Sequence, residues 1–353
     1  MIGTDAYTST DGTTSRSRRT RVTSRSPEPF RTDEAIAVNI PETTPRGAMK
    51  RLYRSMVGQG RRTLACPSVP RLDGKLALVT GATGGIGAEI ARGLAQRGAE
   101  LILPCRSPDR GHATVQALHS EFGASCPVQL VALDLVDLDT VTAAAERVAT
   151  LCAGRPIDIL VENAGIWPTS HRRSAQGHEI AFAVNVLRHF ALRQRLLERG
   201  LLPATRVIVL TGDIYILQSE CTSDYRWRGA VGGTFAYCRS KLGNMWIAAE
   251  LARRHPELAV FIVHPGVVAT NLGGDAGGAI ADAVKRRLMI APEQGAQTAL
   301  ICATQEGLRH GGYYHNTQGL MHLATEDPAA NHTAACALWE ECVALCAKLR
   351  SRV

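Results

Sequence analysis

The sequence predicts a doubly wound α/β domain, a parallel sheet with helices packed on both faces. Three observations carry the prediction. Short runs that are apolar at nearly every position alternate with longer stretches of helical period. The first run passes through a cluster of glycines straight into a helix, and the side chains able to bind or react fall just after the runs. Strands apolar on both faces need cover on both faces, and parallel strands joined by crossover helices provide it. At 353 residues the chain is long enough for one such domain with an appendage.

Residues 1–70 read as a basic extension. Up to about residue 45 they are rich in Ser, Thr, Arg and Pro with no apolar period, the composition of a disordered segment. Over 48–57, Met49, Leu52, Tyr53, Met56 and Val57 share one helical face, with Lys50, Arg51 and Arg54 elsewhere. Such a basic amphipathic helix can lie on an anionic membrane surface or pack on its own domain. The folded domain is expected over 71–350. Strands are predicted at 75–79, 101–103, 128–133, 157–161, 206–210 and 259–263, with helices at about 88–97, 111–122, 140–152, 176–199 and 235–254.

The turn after the first strand is Thr80-Gly81-Ala82-Thr83-Gly84-Gly85-Ile86-Gly87. Gly81 allows a sharp turn, Gly85 lets backbone approach a diphosphate, and Gly87 lets helix pack closely on strand. The free N–H groups of the helix start then face an anion. This is the Rossmann arrangement, whose ligand crevice lies at the C-terminal ends of the strands. Cys105-Arg106 follows the second strand, where a carboxylate would hold the ribose of NAD. No acid stands there, and Arg106 suits a 2′-phosphate, which favours NADP. Asp134-Leu135 follows the third strand, Asn163-Ala164-Gly165 the fourth, and His264-Pro265-Gly266 the sixth.

Tyr237 and Lys241 stand four residues apart, so both project from one side of a helix. The spacing alone is common on helix surfaces; after the fifth strand of a nucleotide-binding sheet it marks a reaction centre. A phenol titrates too high to exchange protons readily at neutral pH, and a nearby ammonium lowers it. So tuned, a tyrosine can give a proton to a carbonyl oxygen as hydride arrives, or take one from an alcohol.

Together these motifs resemble the short-chain dehydrogenase/reductase family. The glycine run, the Asn163–Gly165 turn, Tyr237-Cys238-Arg239-Ser240-Lys241 and Pro265-Gly266 match it in order over about residues 72–350. Phe235-Ala236 before the tyrosine, Leu242-Gly243-Asn244 after it, His264-Pro265-Gly266-Val267-Val268, Leu338-Trp339-Glu340, Cys105-Arg106 and Val184-Asn185 resemble the retinol-dehydrogenase-like group, which includes the WW-domain oxidoreductases. The resemblance implies NADP(H)-dependent interconversion of a carbonyl and an alcohol, with Tyr237 as acid/base and Lys241 as its partner on the nicotinamide ribose. Asn185 would hold a water of the proton relay. Gly81, Gly85, Ile86 and Gly87 would cradle the diphosphate, and Arg106 would hold the NADP phosphate. Asp134 and Leu135 would meet adenine, Asn163, Ala164 and Gly165 would line the adenosine side, and Thr270 would meet the carboxamide. Thr80, Thr83, Gly84, Pro265, Gly266 and Val268 complete the expected cofactor contacts. The substrate would be a small, apolar carbonyl or alcohol compound, bordered by 217–234 with Tyr225 and Trp227 and by 271–288 as a flexible lid. Relatives dimerise through two long helices, which implies a homodimer.

Two departures stand out. Glu162 replaces the first Asn of the family's Asn-Asn-Ala-Gly, and the serine that hydrogen-bonds the substrate carbonyl falls on Gly212. Losing one preorganised donor costs about 10²–10³ in rate. Thr211 or Asp213 could stand in. The alternative is a cofactor-binding sensor or scaffold with little catalysis.

Composition bounds the rest. Of the formal net charge of +8, most lies in residues 1–73, where 13 Arg and Lys face 7 Asp and Glu. A nearly neutral core is a poor nucleic-acid binder. The ten cysteines form no C-x-x-C pair and no His/Cys cluster at zinc spacing, so no metal is expected. Scattered cysteines and no secretory pattern point to free thiols in a reducing cytoplasm, with membrane association only through the basic segment.

Overall fold

The computed structural model describes residues 45–227, 229, 231–269 and 289–350. The extension before residue 45, Thr270 and the expected lid at 271–288 lie outside the described residues.

Eight strands form one sheet in the order β3-β2-β1-β4-β5-β6-β7-β8. They are β1 (Leu76–Val79), β2 (Glu100–Cys105), β3 (Val128–Ala132), β4 (Ile159–Glu162), β5 (Arg206–Leu210), β6 (Ala259–His264), β7 (Gly312–His315) and β8 (Gly319–Met321). Strands β1 to β7 run parallel, and β8 pairs antiparallel with β7. The order reverses between β1 and β4, so the crevice of the Rossmann fold opens beside the glycine turn.

Alternate residues of each central strand feed opposite cores. Leu78, Leu160, Val207, Val209, Val260 and Ile262 point into one apolar cluster. Ala77, Val79, Ile159, Val161, Ile208 and Phe261 point into the other. That is why these strands read as continuous apolar runs. The second face is covered by α3 (Gly85–Ala95), α4 (Pro108–Phe122) and, through Ala296, Ala299 and Leu300, by α9 (Pro292–Thr304). The first face carries α5 (Leu138–Cys152), α6 (Ile180–Phe182), α7 (Arg188–Glu198), α8 (Gly232–Arg254) and α10 (His332–Arg350). A π-helical turn, Ala183–Leu187, joins α6 to α7 and holds Asn185 at its centre. α10 is anchored over α7 and α8 by Trp339, whose ring meets Phe190 edge-on at 4.9 Å and lies under the Arg254 guanidinium.

The segment before β1 is part of the same compact unit as the sheet. α1 (Pro45–Met56) and α2 (Gln59–Arg62) precede an extended stretch into β1. α1 does not bury the face its apolar residues suggest. Ala48, Arg51 and Ser55 are buried, while Met49 and Tyr53 are 60% and 67% exposed. The anchor is polar: Arg51 enters a carboxylate cluster described below, and an ion pair outweighs the apolar stripe in orienting the helix.

Candidate active site

The glycine turn is built by β1 and β4 together. Thr80 Oγ1 accepts the N–H groups of Asn163 and Ala164, both at 3.0 Å. The Asn163 amide in turn donates to the carbonyls of Thr80 at 2.9 Å and Gly81 at 3.3 Å. Gly81 has φ +70, and a Cβ there would lie 2.9 Å from the Ala164 backbone. A Cβ on Gly87 would stand 2.3 Å from both the Asn163 amide nitrogen and the Gly81 carbonyl oxygen, so only glycine fits. Thr80 and Asn163 thus frame the turn.

Beyond the frame, α3 begins without a side-chain cap and Gly84 is exposed, which leaves the first N–H groups of the helix without a side-chain acceptor at the N-cap. Arg110 on α4 donates to the Thr83 carbonyl at 3.0 Å, which puts a guanidinium on the turn. An uncapped helix start with a cation beside it fits the diphosphate of a nicotinamide dinucleotide. Arg106 is exposed just past β2. Asp134 is partly exposed, its carboxylate accepting the Val136 N–H at 3.0 Å, whereas the Leu135 side chain is buried in the core. After β6, Gly266 has φ +93, and Val268 bridges to Ile290 ahead of α9.

Tyr237 and Lys241 lie on α8, with Lys241 Nζ 5.4 Å from the tyrosine ring centroid. The ring of Tyr237 stacks flat on Trp167, centroids 4.6 Å apart and planes 7° from parallel. Lys241 is buried, and its ammonium donates to the Leu210 carbonyl at 3.2 Å, an oxygen shared with the Asn244 amide at 3.1 Å. Burial pushes Lys241 down to about 8. Burial also pushes the Tyr237 phenol up from its ordinary value. The Lys241 ammonium is held at the Leu210 carbonyl, 5.4 Å from the ring centroid.

Asn185 is buried and tied on both sides. Its Oδ1 accepts the Ile166 N–H at 2.8 Å, and its Nδ2 donates to the Ile166 carbonyl at 3.0 Å and to Ser240 Oγ at 2.9 Å. Ser240 Oγ donates onward to the Tyr237 carbonyl at 2.7 Å. Asn185 thereby fastens the turn after β4 to the helix of the tyrosine. A Cβ placed on Gly165 would lie 3.3 Å from Asn185 Oδ1 and 3.9 Å from Lys241 Nζ, so the three groups share one corner of the crevice.

A family model for short chain dehydrogenases matches residues 75–279. The chain belongs to the short-chain dehydrogenase/reductase family. Retinol dehydrogenase 11 of Mus musculus is 34% identical over 265 residues, 72% of this chain and 80% of that protein. Its Homo sapiens counterpart is 32% identical over 301 residues, 81% of this chain and 89% of that protein. Among solved structures, a short chain dehydrogenase from Burkholderia cenocepacia in complex with NADP superposes with a TM-score of 0.57 at 27% identity, covering 71% of this chain and 99% of that one. This retinol-dehydrogenase-like chain is thus an oxidoreductase of the short-chain dehydrogenase/reductase type, using a nicotinamide cofactor on CH–OH and C=O groups.

The two departures from the family pattern have different structural answers. Glu162 is buried and pairs with Arg193 of α7, itself buried and lying 5.7 Å from the Phe190 ring centroid. The acid is accommodated by a cation that the sequence did not single out. At Gly212 nothing takes the serine's place. Thr211 is buried and its hydroxyl donates to the Lys241 carbonyl at 2.9 Å, so it is committed to α8. Asp213 is buried too, and its Oδ1 accepts from Arg51 at 2.9 Å and from the Tyr313 hydroxyl at 2.6 Å. Burial acts to raise the Asp213 carboxyl, but Arg51 and the nearby imidazoles override it and hold it well below the usual carboxylate range. Both expected stand-ins are corrected: each side chain has an internal partner.

Around Asp213 the ends of β5, β6 and β7 bring together groups far apart in sequence. Arg51 also pairs with Asp327 at 3.0 Å, and Tyr215 donates its hydroxyl to Asp327 at 3.0 Å. His315 Nε2 lies 3.3 Å from Asp213 Oδ2, and His264 Nδ1 accepts the Asp213 N–H at 3.3 Å. Asp213, His264 and His315 are close enough for metal coordination. His315 Nδ1 also accepts the Thr317 N–H at 3.2 Å. Burial pushes His264 down to about 3, which keeps it neutral.

Tyr225 and Trp227 of the segment expected to border the substrate both contact their own protein. The Tyr225 ring lies 4.4 Å from the Arg239 guanidinium, and Trp227 covers Gly232 and Gly233 and donates to Glu179 at 3.4 Å. Sequence reading missed Arg110, Trp167, Arg193 and Arg51. Arg110 alone left a signal, four residues after Arg106 at the start of a helix.

Proposed function

We propose that this chain is an NADP(H)-dependent reductase of aldehydes or ketones, reversible to the alcohol, in which Tyr237 is the acid and Lys241 its partner. The observation that carries it is the Tyr237–Lys241 pair, stacked on Trp167 in the same crevice as an anion-ready glycine turn. When bound, the nicotinamide cofactor supplies or accepts the hydride. Tyr237 donates its proton to the carbonyl oxygen. Lys241 holds the ribose hydroxyls, and a water between it and Asn185 returns the proton from solvent. Gly81, Thr83, Gly84, Gly85 and Ile86 hold the diphosphate with Arg110, and Gly165, Pro265, Gly266, Val268 and Thr270 line the rest of the cofactor.

Preference for NADP over NAD rests on Arg106, exposed at a strand end where no carboxylate stands to bind a ribose diol. An apolar, retinoid-like substrate is favoured by the named relatives and by Trp167, with Val231 54% and Phe235 39% exposed beside the tyrosine helix. Peripheral membrane contact is favoured by α1. Met49, Tyr53 and Val57 form an exposed stripe one turn apart, flanked by exposed Lys50 and Arg54. Among the described residues, no helix is long and apolar enough to cross a membrane.

The test is NADPH oxidation by purified protein against a panel of apolar aldehydes and ketones, retinal included, with NADH as control. Turnover with NADPH supports the reading. Tight NADPH binding with no turnover on any member favours the second reading, a cofactor-binding sensor, for which the committed side chains of Thr211 and Asp213 beside Gly212 are the specific support.

A further inference from the structure

Two polar side chains of the N-terminal segment reach the two loops that flank the reaction centre. From α1, Arg51 enters the loop after β5, where Asp213 follows the glycine that replaces the donor serine. From α2, Gln59 grips the loop after β6: its Nε2 donates to the Val267 carbonyl and its Oε1 accepts the Val267 N–H, each at 3.0 Å. Gln59 is buried, and it occupies both backbone groups of Val267 as a neighbouring strand would. A Cβ on Gly266 would stand 2.8 Å from its Oε1, so the fit extends to the turn itself.

The two grips are joined. Asp213, oriented by Arg51 and Tyr313, gives its own N–H to His264, the last residue of β6, immediately before Pro265 and Gly266. Arg51 also binds Asp327, so one guanidinium ties α1, the β5 loop and the segment before α10. Loops at the ends of strands are the least constrained parts of this fold and carry its chemistry. Here they are fixed by a segment that precedes the sheet in the chain.

We propose that residues 45–63 form a strap in which Arg51 and Gln59 are positioning residues: Arg51 sets the substrate side through Asp213, and Gln59 sets the nicotinamide side through Val267. Neither touches the reacting atoms. Through Asp213 the strap holds the β5 loop beside Gly212 in one place. It rests on the assignment of the crevice between these loops as the site of reaction.

The experiment uses the full-length chain and the variants Arg51→Met, Arg51→Lys and Gln59→Ala, each checked for folding by circular dichroism. A misplacement of about 1 Å can cost about 100-fold in rate. Arg51→Met is expected to lower kcat about 10–100-fold with KM changed less than about threefold, and Arg51→Lys to recover much of it. Gln59→Ala is expected to weaken NADPH binding about tenfold, read by fluorescence titration. Hydrogen exchange gives a readout free of turnover: the amides of Asp213 and Val267 are protected in the wild type and exchange at least about tenfold faster in the matching variant. Unchanged exchange at both amides in folded variants overturns the strap, whether or not the protein reduces carbonyls. If Arg51→Met does not fold, the Gln59→Ala exchange and binding data decide alone. Faster exchange with a wild type that turns over nothing keeps the strap and overturns the reductase reading.

Discussion

Replacing Arg193 by Met should destabilise the protein by about 3–5 kcal/mol, because it leaves Glu162 buried without its counter-charge. The two side chains are 0% and 4% exposed, so solvent cannot take over the pairing. Loss of the guanidinium also removes its contact with the Phe190 ring. For a domain of this size the unfolding entropy is on the order of 0.6 kcal/mol per degree, so Tm should fall by about 5–8 °C. The double variant Glu162→Leu with Arg193→Met removes both charges and should return to within about 1 kcal/mol of wild type, since a buried pair replaced by apolar residues as a unit is often neutral. Thermal unfolding followed by circular dichroism, backed by urea titration, measures all three proteins. A single variant as stable as wild type, or a double variant less stable than the single one, would refute the pairing as the structural answer to the missing asparagine.

Other outcomes follow from the same geometry. Lys241 is held near 8 against an ordinary 10.5, so the unfolded chain binds more protons across that window and stability rises with pH from about 8 to 10.5. Lys241→Met should lose this slope and gain up to about 3 kcal/mol at pH 7, less the lost bond to Leu210, while losing turnover; urea titrations at pH 7 and pH 10 read the difference. Gly212→Ser should fit, since an added Cβ meets only His264 Nδ1 at 3.8 Å and the backbone is extended. Steady-state kinetics should show kcat raised by up to about 10²–10³ on carbonyl substrates, and no gain would count against the alignment of this loop with the donor serine. Arg106→Ala should weaken NADPH about 10–100-fold with little effect on NADH, whereas Arg110→Ala should weaken both, as titrations with the two cofactors would show.

Much of the architecture was legible because strand burial on both faces leaves an unbroken apolar run. The six predicted strands are all present, with ends displaced by at most two residues. The edge pair β7 and β8 was not legible: Gly312–His315 and Gly319–Met321 are short and flanked by glycine, so turn and strand signals overlap. Tyr237, Lys241 and the glycine turn could be read from spacing because one helix or one turn supplies each group. The Asp213 cluster could not. Arg51, Asp213, His264, His315 and Asp327 meet only when three strand ends and two helix termini converge, and no local pattern encodes that. The orientation of α1 shows the same limit, since the apolar period pointed to one face and a single buried arginine chose another.

In the proposed reaction Tyr237 delivers the proton to the carbonyl oxygen. The most direct test is single-turnover reduction of retinal by the NADPH-loaded protein, wild type against Tyr237→Phe, with NADPH affinity measured on both. Removal of a general acid should slow the chemical step by about 10²–10⁴ and leave the dissociation constant for NADPH within about twofold. A Tyr237→Phe protein that binds NADPH as tightly and reduces retinal as fast as wild type would contradict the account.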